Sequence, residues 1–240
     1  FLIKHFGLMG MPHWRKSFVS TSGTYRSIVQ DGAVEDTYPI RYWPGEKPCD
    51  HLEFALKYDG VNLGLLYIIF EHLSQLELTE YIKSRPTGKY TRRIWFFYEF
   101  LTGSRLNVND LTVGNYVDAL ETEKYFTIQN GKKSQRHRVA NNLCGPRTFC
   151  PLIRKTGKLT EFAAMDIRRQ CEDIVNAYTP ELLRRALTYF YKKETKSSFA
   201  IEHIKPSASR TEKFMASLVL ADKEDFCEKE RLIELQNRIV

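Results

Sequence analysis

RRIWFFYEFL (Arg92–Leu101) runs without a break into Thr102–Gly103. Five of its ten residues are aromatic, which would suit a strand. Its length and the glycine directly after it predict a helix with a C-terminal glycine stop instead. Upstream, Leu65, Leu66, Ile69, Leu73, Leu76 and Leu78 recur at steps of three and four, the spacing of a largely buried helical element over 61–83. Leu52, Ala55 and Leu56 read as a shorter helix stopped at Asp59–Gly60. The first 45 residues mix Gly, Pro, Ser and Thr with scattered aromatics and read as irregular.

Downstream, residues 104–157 change character: Asn, Gly and basic residues recur and apolar runs are short. Tyr125–Ile128 reads as a strand, Gln129-Asn130-Gly131 as its turn and Gln135–Val139 as the return. Helical spacing resumes at Lys158. Phe162, Met165, Ile167, Cys171, Ile174 and Val175 fit one helix. Thr179-Pro180-Glu181 opens another, with a hydroxyl N-cap, Pro at the first position and a carboxylate in the first turn. Its apolar stripe is Leu183, Leu187, Phe190 and Tyr191. Ser209 to Glu212 has capping-box spacing ahead of Phe214, Met215, Leu218 and Val219, and a last helix begins near Glu224. The expectation is a mainly α protein, a helical bundle with a loop-rich basic insertion that holds a small hairpin. It divides into an irregular segment (1–45), a helical region with the insertion (46–157) and a second helical segment (158–240).

The chain has 240 residues, 42% apolar and 27% charged, an ordinary globular mix that excludes a disordered or collagenous chain. The longest apolar run, Leu63–Phe70, is far shorter than the roughly 20 residues of a membrane helix. Net charge is +7, and it is regional: Lys83–Lys155 carries 14 Lys or Arg against 5 Asp or Glu, while the remainder is net negative. Such a region meets phosphates or acidic partners, or is a solvated face. The five cysteines (Cys49, Cys144, Cys150, Cys171, Cys227) form no C-x-x-C pair, and the six histidines lie at no ligand spacing, so no metal site is expected. Reduced thiols and the lack of a secretory signal imply a cytoplasmic protein. The chain starts without Met and stops inside a helical pattern, which reads as a piece of something longer.

In KETKSSFAIEHI (Lys193–Ile204), Glu194, Ser198 and Glu202 lie at i, i+4 and i+8, one face of a helix, with Ile201 and Ile204 nearer its packed side. A carboxylate held there can serve as an anionic arm toward an arginine, with the Ser198 hydroxyl one turn earlier. The spacing equally describes polar surface residues.

The run from Lys193 through Leu218 resembles the inhibitory segment ahead of the catalytic domain in Fic-family proteins. That segment follows the pattern Ser/Thr-x-x-x-Glu-Gly/Asn, with Ser198 on its first position and Glu202 on its Glu. His203 departs from the usual Gly or Asn. FLTG and SRL (Phe100–Leu106), GNYVDAL (Gly114–Leu120) and VANNLCGPRTFCPLIRKT (Val139–Thr156) also resemble the N-terminal region of one Fic subgroup. The resemblance covers about residues 60–240. It implies a protein adenylyltransferase, which moves AMP from ATP, with Mg²⁺, to a hydroxyl of a target protein. It further implies that Glu202 is the autoinhibitory carboxylate, paired with a catalytic-loop arginine that otherwise holds the γ-phosphate. The catalytic signature HPFxxGNGR is not in this sequence, so no catalytic residue is assigned here. ATP and Mg²⁺ would belong to a downstream Fic core of the same polypeptide, and the target protein is unknown.

A second reading is a non-catalytic module that binds protein or nucleic acid through Lys132, Lys133, Arg136 and Arg138, beside His137, Tyr125 and Phe126. No helix-turn-helix, RNP or finger pattern accompanies them. Arg147, Arg154 and Lys155 flank Phe149-Cys150-Pro151, where they brace a phosphate or pair with carboxylates. No P-loop, H-E-x-x-H or G-x-S-x-G is present, so the fragment does not read as an enzyme by itself.

Overall fold

The computed structural model describes residues 1–9, 13–21, 23–30, 32–201, 203, 205–220 and 228–239. They fall into two compact units, Phe1–Thr160 and Glu161–Val240.

The first unit is mixed α/β. After a short helix α1 (Leu2–His5) come strands β1 (Arg15–Ser20), β2 (Arg26–Gln30) and β3 (Ala33–Pro39). They form one sheet in the order β1-β3-β2, with β1 parallel and β2 antiparallel to the central β3. The irregular N-terminal segment expected from the sequence is therefore a sheet. The strands escape sequence detection because they bury polar groups rather than an alternating apolar face. All of β2 is exposed, and the fully buried residue at the centre of β3 is Asp36.

Helices α2 (Pro48–Tyr58), α3 (Leu63–His72), α4 (Gln75–Ser84) and α5 (Lys89–Thr102) follow. The element expected over 61–83 is two helices, because Ser74 caps α4 through a 3.5 Å bond from Glu77 N. Asn62 caps α3 in the same way, accepting from Leu65 N at 3.1 Å. The opening stretch is α5, ending at Gly103 with φ +73 as the glycine stop predicts. It is buried around almost its whole circumference: Ile94, Trp95 and Phe97 are fully buried, and α5 packs on α2, α3 and α4. Aromatic density here reflects a central helix, not a strand.

The basic region carries β4 (Val117–Asp118), β5 (Tyr125–Phe126), β6 (Lys132–Ser134), β7 (Val139–Asn141) and β8 (Ile153–Arg154). They form two more small sheets, β4-β7-β6 and β5-β8. The hairpin exists, one element later than expected. β6 pairs antiparallel with β7, while Tyr125–Phe126 pairs with Ile153–Arg154. The Asn130-Gly131 turn leads into β6, and the tight turn of the hairpin itself is at Gln135–Arg138, with Arg138 at φ +52. About half the chain is helical, but three sheets among the described residues make it a mixed α/β protein. The mainly α bundle expected from the sequence does not hold.

Helix α6 (Gly157–Ala164) spans the boundary between the units, and α7 (Ile167–Asn176), α8 (Pro180–Ile201), α9 (Ala208–Leu220) and α10 (Lys229–Ile239) follow. The single helix expected over 162–175 breaks in two, because Asp166 caps α7 by accepting from Arg169 N at 3.0 Å. Thr179 opens α8 as expected, while α9 is capped by Ser207, with Arg210 N 3.2 Å from its Oγ, rather than by Ser209. The start expected near Glu224 lies outside the described residues. Cys49, Cys144, Cys150 and Cys171 are free thiols. No described helix is long and apolar enough to cross a membrane.

Candidate functional site

Ser198 lies in the last turn of α8 and is half-buried, with Glu194 exposed one turn before it. The helix ends at Ile201, so Glu202 follows directly; Glu202 and Ile204 lie outside the described residues. The packed side of this turn is not the one expected. Ile201 is 76% exposed, whereas Thr195 and Phe199 are buried. Phe199 meets Phe214 of α9 at 5.5 Å between ring centroids, and the Arg210 guanidinium stacks over it at 5.4 Å. The reason is periodicity: Tyr191, Thr195 and Phe199 are spaced by four and share a stripe that Ile201 leaves by about 200°. Thus α9 fixes the end of α8 in place.

His203 has φ +56 and donates its N–H to Ala200 O at 3.1 Å. This is the left-handed conformation that commonly follows a helix, adopted most readily by Gly and Asn.

The basic cluster is split. Lys132 and Lys133 are exposed on β6, with Lys133 5.2 Å over the Tyr116 ring. Arg136 points inward. Its Nη2 lies 2.9 Å from Glu99 Oε1 and 2.6 Å from Leu106 O, its Nη1 2.8 Å from Val108 O, and it also bonds Asp110. Arg138 donates to Leu111 O at 3.2 Å and to Thr112 O. These two guanidinium groups hold the 104–112 loop. Glu99 gathers further donors, Trp95 Nε1 at 2.8 Å and Leu106 N at 3.0 Å, and His137 Nε2 lies 3.0 Å from it. Burial would raise the Glu99 pKa, but the bonds from His137, Arg136 and Trp95 outweigh it and hold the carboxyl far below the usual range. Glu121 is a second hub, bound by Lys124, Lys89 (3.2 Å) and Arg93 (3.3 Å). These overcome burial and bring its pKa down to about 2. Arg147 donates to Thr102 O at 3.2 Å and Arg154 stacks over Trp14, so both brace the fold.

One group of polar residues escapes the sequence reading. Arg15 pairs with Asp36 at 3.3 Å and donates to Tyr58 O at 3.3 Å, and Ser17 donates to the Asp59 carboxylate. Burial pushes the Asp59 pKa up to about 6, against the Ser17 bond and the Arg15 charge. These residues meet only through the pairing of β1 with β3 and the end of α2, and no short motif signals that. Among the described residues no three His, Cys, Asp or Glu side chains converge as a metal site requires.

No family model, curated protein or solved structure matches the chain.

Proposed function

We propose that the chain is the N-terminal regulatory part of a Fic-type protein adenylyltransferase, with Glu202 as its inhibitory carboxylate. The observation that carries this reading is the left-handed His203 directly after Glu202. The motif that Ser198 and Glu202 resemble has Gly or Asn at that position, the residues that occupy φ > 0 at least cost. Helix α8 is described to Ile201, α9 packs on its last turn, and the backbone is left-handed at His203. In this reading Glu202 competes with a phosphate for an arginine of the catalytic core, and so controls where the nucleotide can sit.

The surface of the second unit supports the same reading. No residue of α7 is buried. Ile167 and Ile174 on α7, and Leu187, Tyr189 and Phe190 on α8, are each more than half exposed. An apolar surface of this kind is normally covered by another polypeptide body, which here would be the downstream Fic core. The blocks that carry the resemblance in the first unit have a physical basis as well. Gly103 ends α5, Asp118 O accepts from Arg93 at 2.7 Å, and the Asn142 side chain bonds both Leu120 N and Leu120 O at 2.9 Å.

The test uses the full-length gene product and labelled ATP. Glu202→Gly is expected to increase AMP incorporation into the protein itself, and an unchanged level would remove the role from Glu202.

A further inference from the structure

The first unit contains a cleft of about 460 Å³ between β1, α2 and α3. Its wall is apolar and aromatic, with Phe18, Trp43, Phe54, Leu56 and Ile69 among the lining side chains. Its polar side chains come from His13, Arg15, Lys16, Ser17, His51, Asp59 and Asn62. This is the size and composition of a small-molecule site, a largely apolar container with a few convergent polar groups.

The charged side chains of the lining leave one carboxylate without a cationic partner. Arg15 is spent on Asp36, which is completely buried. Lys16, which also lines the cleft, faces Glu35 at 3.6 Å. His13 and His51 are both driven toward their neutral forms, in each case chiefly by burial. His51 is further engaged with Gly45 O at 2.8 Å. Asp59 remains, a half-buried carboxylate that accepts from the Ser17 hydroxyl, with Arg15 and the Phe1 amino group acting on it only through space. His13, also in the lining, has both ring nitrogens closed off from solvent. The Gly60 main chain is close, but neither nitrogen completes a well-formed hydrogen bond. A desolvated carboxylate is an acceptor awaiting N–H donors, and a neutral imidazole presents one acceptor nitrogen and one N–H.

We propose that this cleft binds a small organic cation, an ammonium group on an apolar ring or chain. The ammonium meets Asp59, and the apolar body lies along Phe54, Leu56 and Ile69. A divalent metal is the wrong occupant, because a single carboxylate in an apolar wall supplies too few oxygens. An anion is wrong because the one guanidinium present is already paired. The proposal is independent of the adenylyltransferase reading, since none of these residues belongs to the blocks on which that reading stands.

Calorimetric titration with phenethylammonium, 2-phenylethanol and 3-phenylpropanoate tests it on the whole chain. The ammonium probe should bind at millimolar concentration or better, the alcohol at least about tenfold more weakly, and the carboxylate not at all. Asp59→Asn should abolish the preference for the ammonium over the alcohol. An independent readout is the ¹³C titration of the Asp59 carboxyl in the unmutated chain, whose midpoint should fall when the ammonium is added. The proposal is overturned if the ammonium does not bind at millimolar concentration. It is equally overturned if the Asp59→Asn chain binds it as well as the unmutated chain, if 3-phenylpropanoate binds better, or if the Asp59 midpoint does not move.

Discussion

Arg136 grips Glu99 side-on, with Nη2 2.9 Å from Oε1 and Nε 3.0 Å from Oε2, across 37 positions of sequence. Both side chains are nearly nine-tenths buried. The pair fastens a loop that has no regular structure of its own to the central helix of the first unit. Removing one partner leaves the other as an uncompensated buried charge. Arg136→Ala and Glu99→Ala are each expected to destabilise the first unit by about 3 kcal/mol. Denaturant melts of the two single variants and the double variant check this. The double variant should cost clearly less than the sum of the singles.

Glu121 gives an acid-side dependence. Its folded pKa of about 2 is below its ordinary 4.5, so the folded state binds fewer protons. Its contribution is fully present above pH 4.5 and is lost as pH falls toward 2. Lys89 and Lys124 are about half exposed, so solvent screening reduces the effect to about 1–2 kcal/mol. Glu121→Gln should remove that part of the acid dependence, read from unfolding free energies between pH 2 and 7.

Asp59 works in the opposite sense. Its folded pKa of about 6 is above its ordinary 3.8, so the folded state holds the proton more tightly. Its contribution to stability is greatest below pH 3.8 and declines as pH rises through 6. Asp59→Asn should therefore stabilise the protein at neutral pH by about 1–2 kcal/mol, and should have little effect at pH 4. Melts at both pH values give the comparison.

The Tyr125 hydroxyl accepts from Val61 N at 2.8 Å, a buried contact between β5 and the start of α3. Tyr125→Phe leaves that N–H unsatisfied and should cost about 1–3 kcal/mol. Gly60 lies against the same hydroxyl: it has φ +96, and a β-carbon there would come 2.6 Å from Tyr125 Oη. Gly60→Ala should be at least as damaging as Tyr125→Phe, by thermal melting of the two variants.

What could be read from the sequence follows a physical division. Helices α2 and α3 are legible because Leu52 and Leu66 mark periodic apolar faces, and α5 because of its length, with Gly60 and Gly103 marking stops. The N-terminal sheet was not, because Ser17, Asp36 and Asp59 hold it through polar contacts that have no period. The hairpin was misplaced because Asn130-Gly131 is a genuine turn signal that serves the entry to β6, while the hairpin turn closes at Arg138 with no glycine. Arg136 and Arg138 looked like surface cations from charge alone. That their donors meet main-chain carbonyls at Leu106, Val108 and Leu111 depends on long-range pairing that no local pattern encodes. The Ser198 position on a helix is readable from spacing, and the left-handed turn at His203 is not, because only a few per cent of non-glycine residues adopt positive φ.

The central claim is that a carboxylate after the end of α8 restrains a nucleotide-transfer site, and its most direct measurement is self-labelling of the full-length gene product with radiolabelled ATP. The account predicts stronger labelling for Glu202→Gly than for the unmutated protein, with His203→Gly, which only relaxes the turn, remaining at the unmutated level. Equal labelling of the Glu202→Gly and unmutated proteins, or no labelling of either, would contradict it.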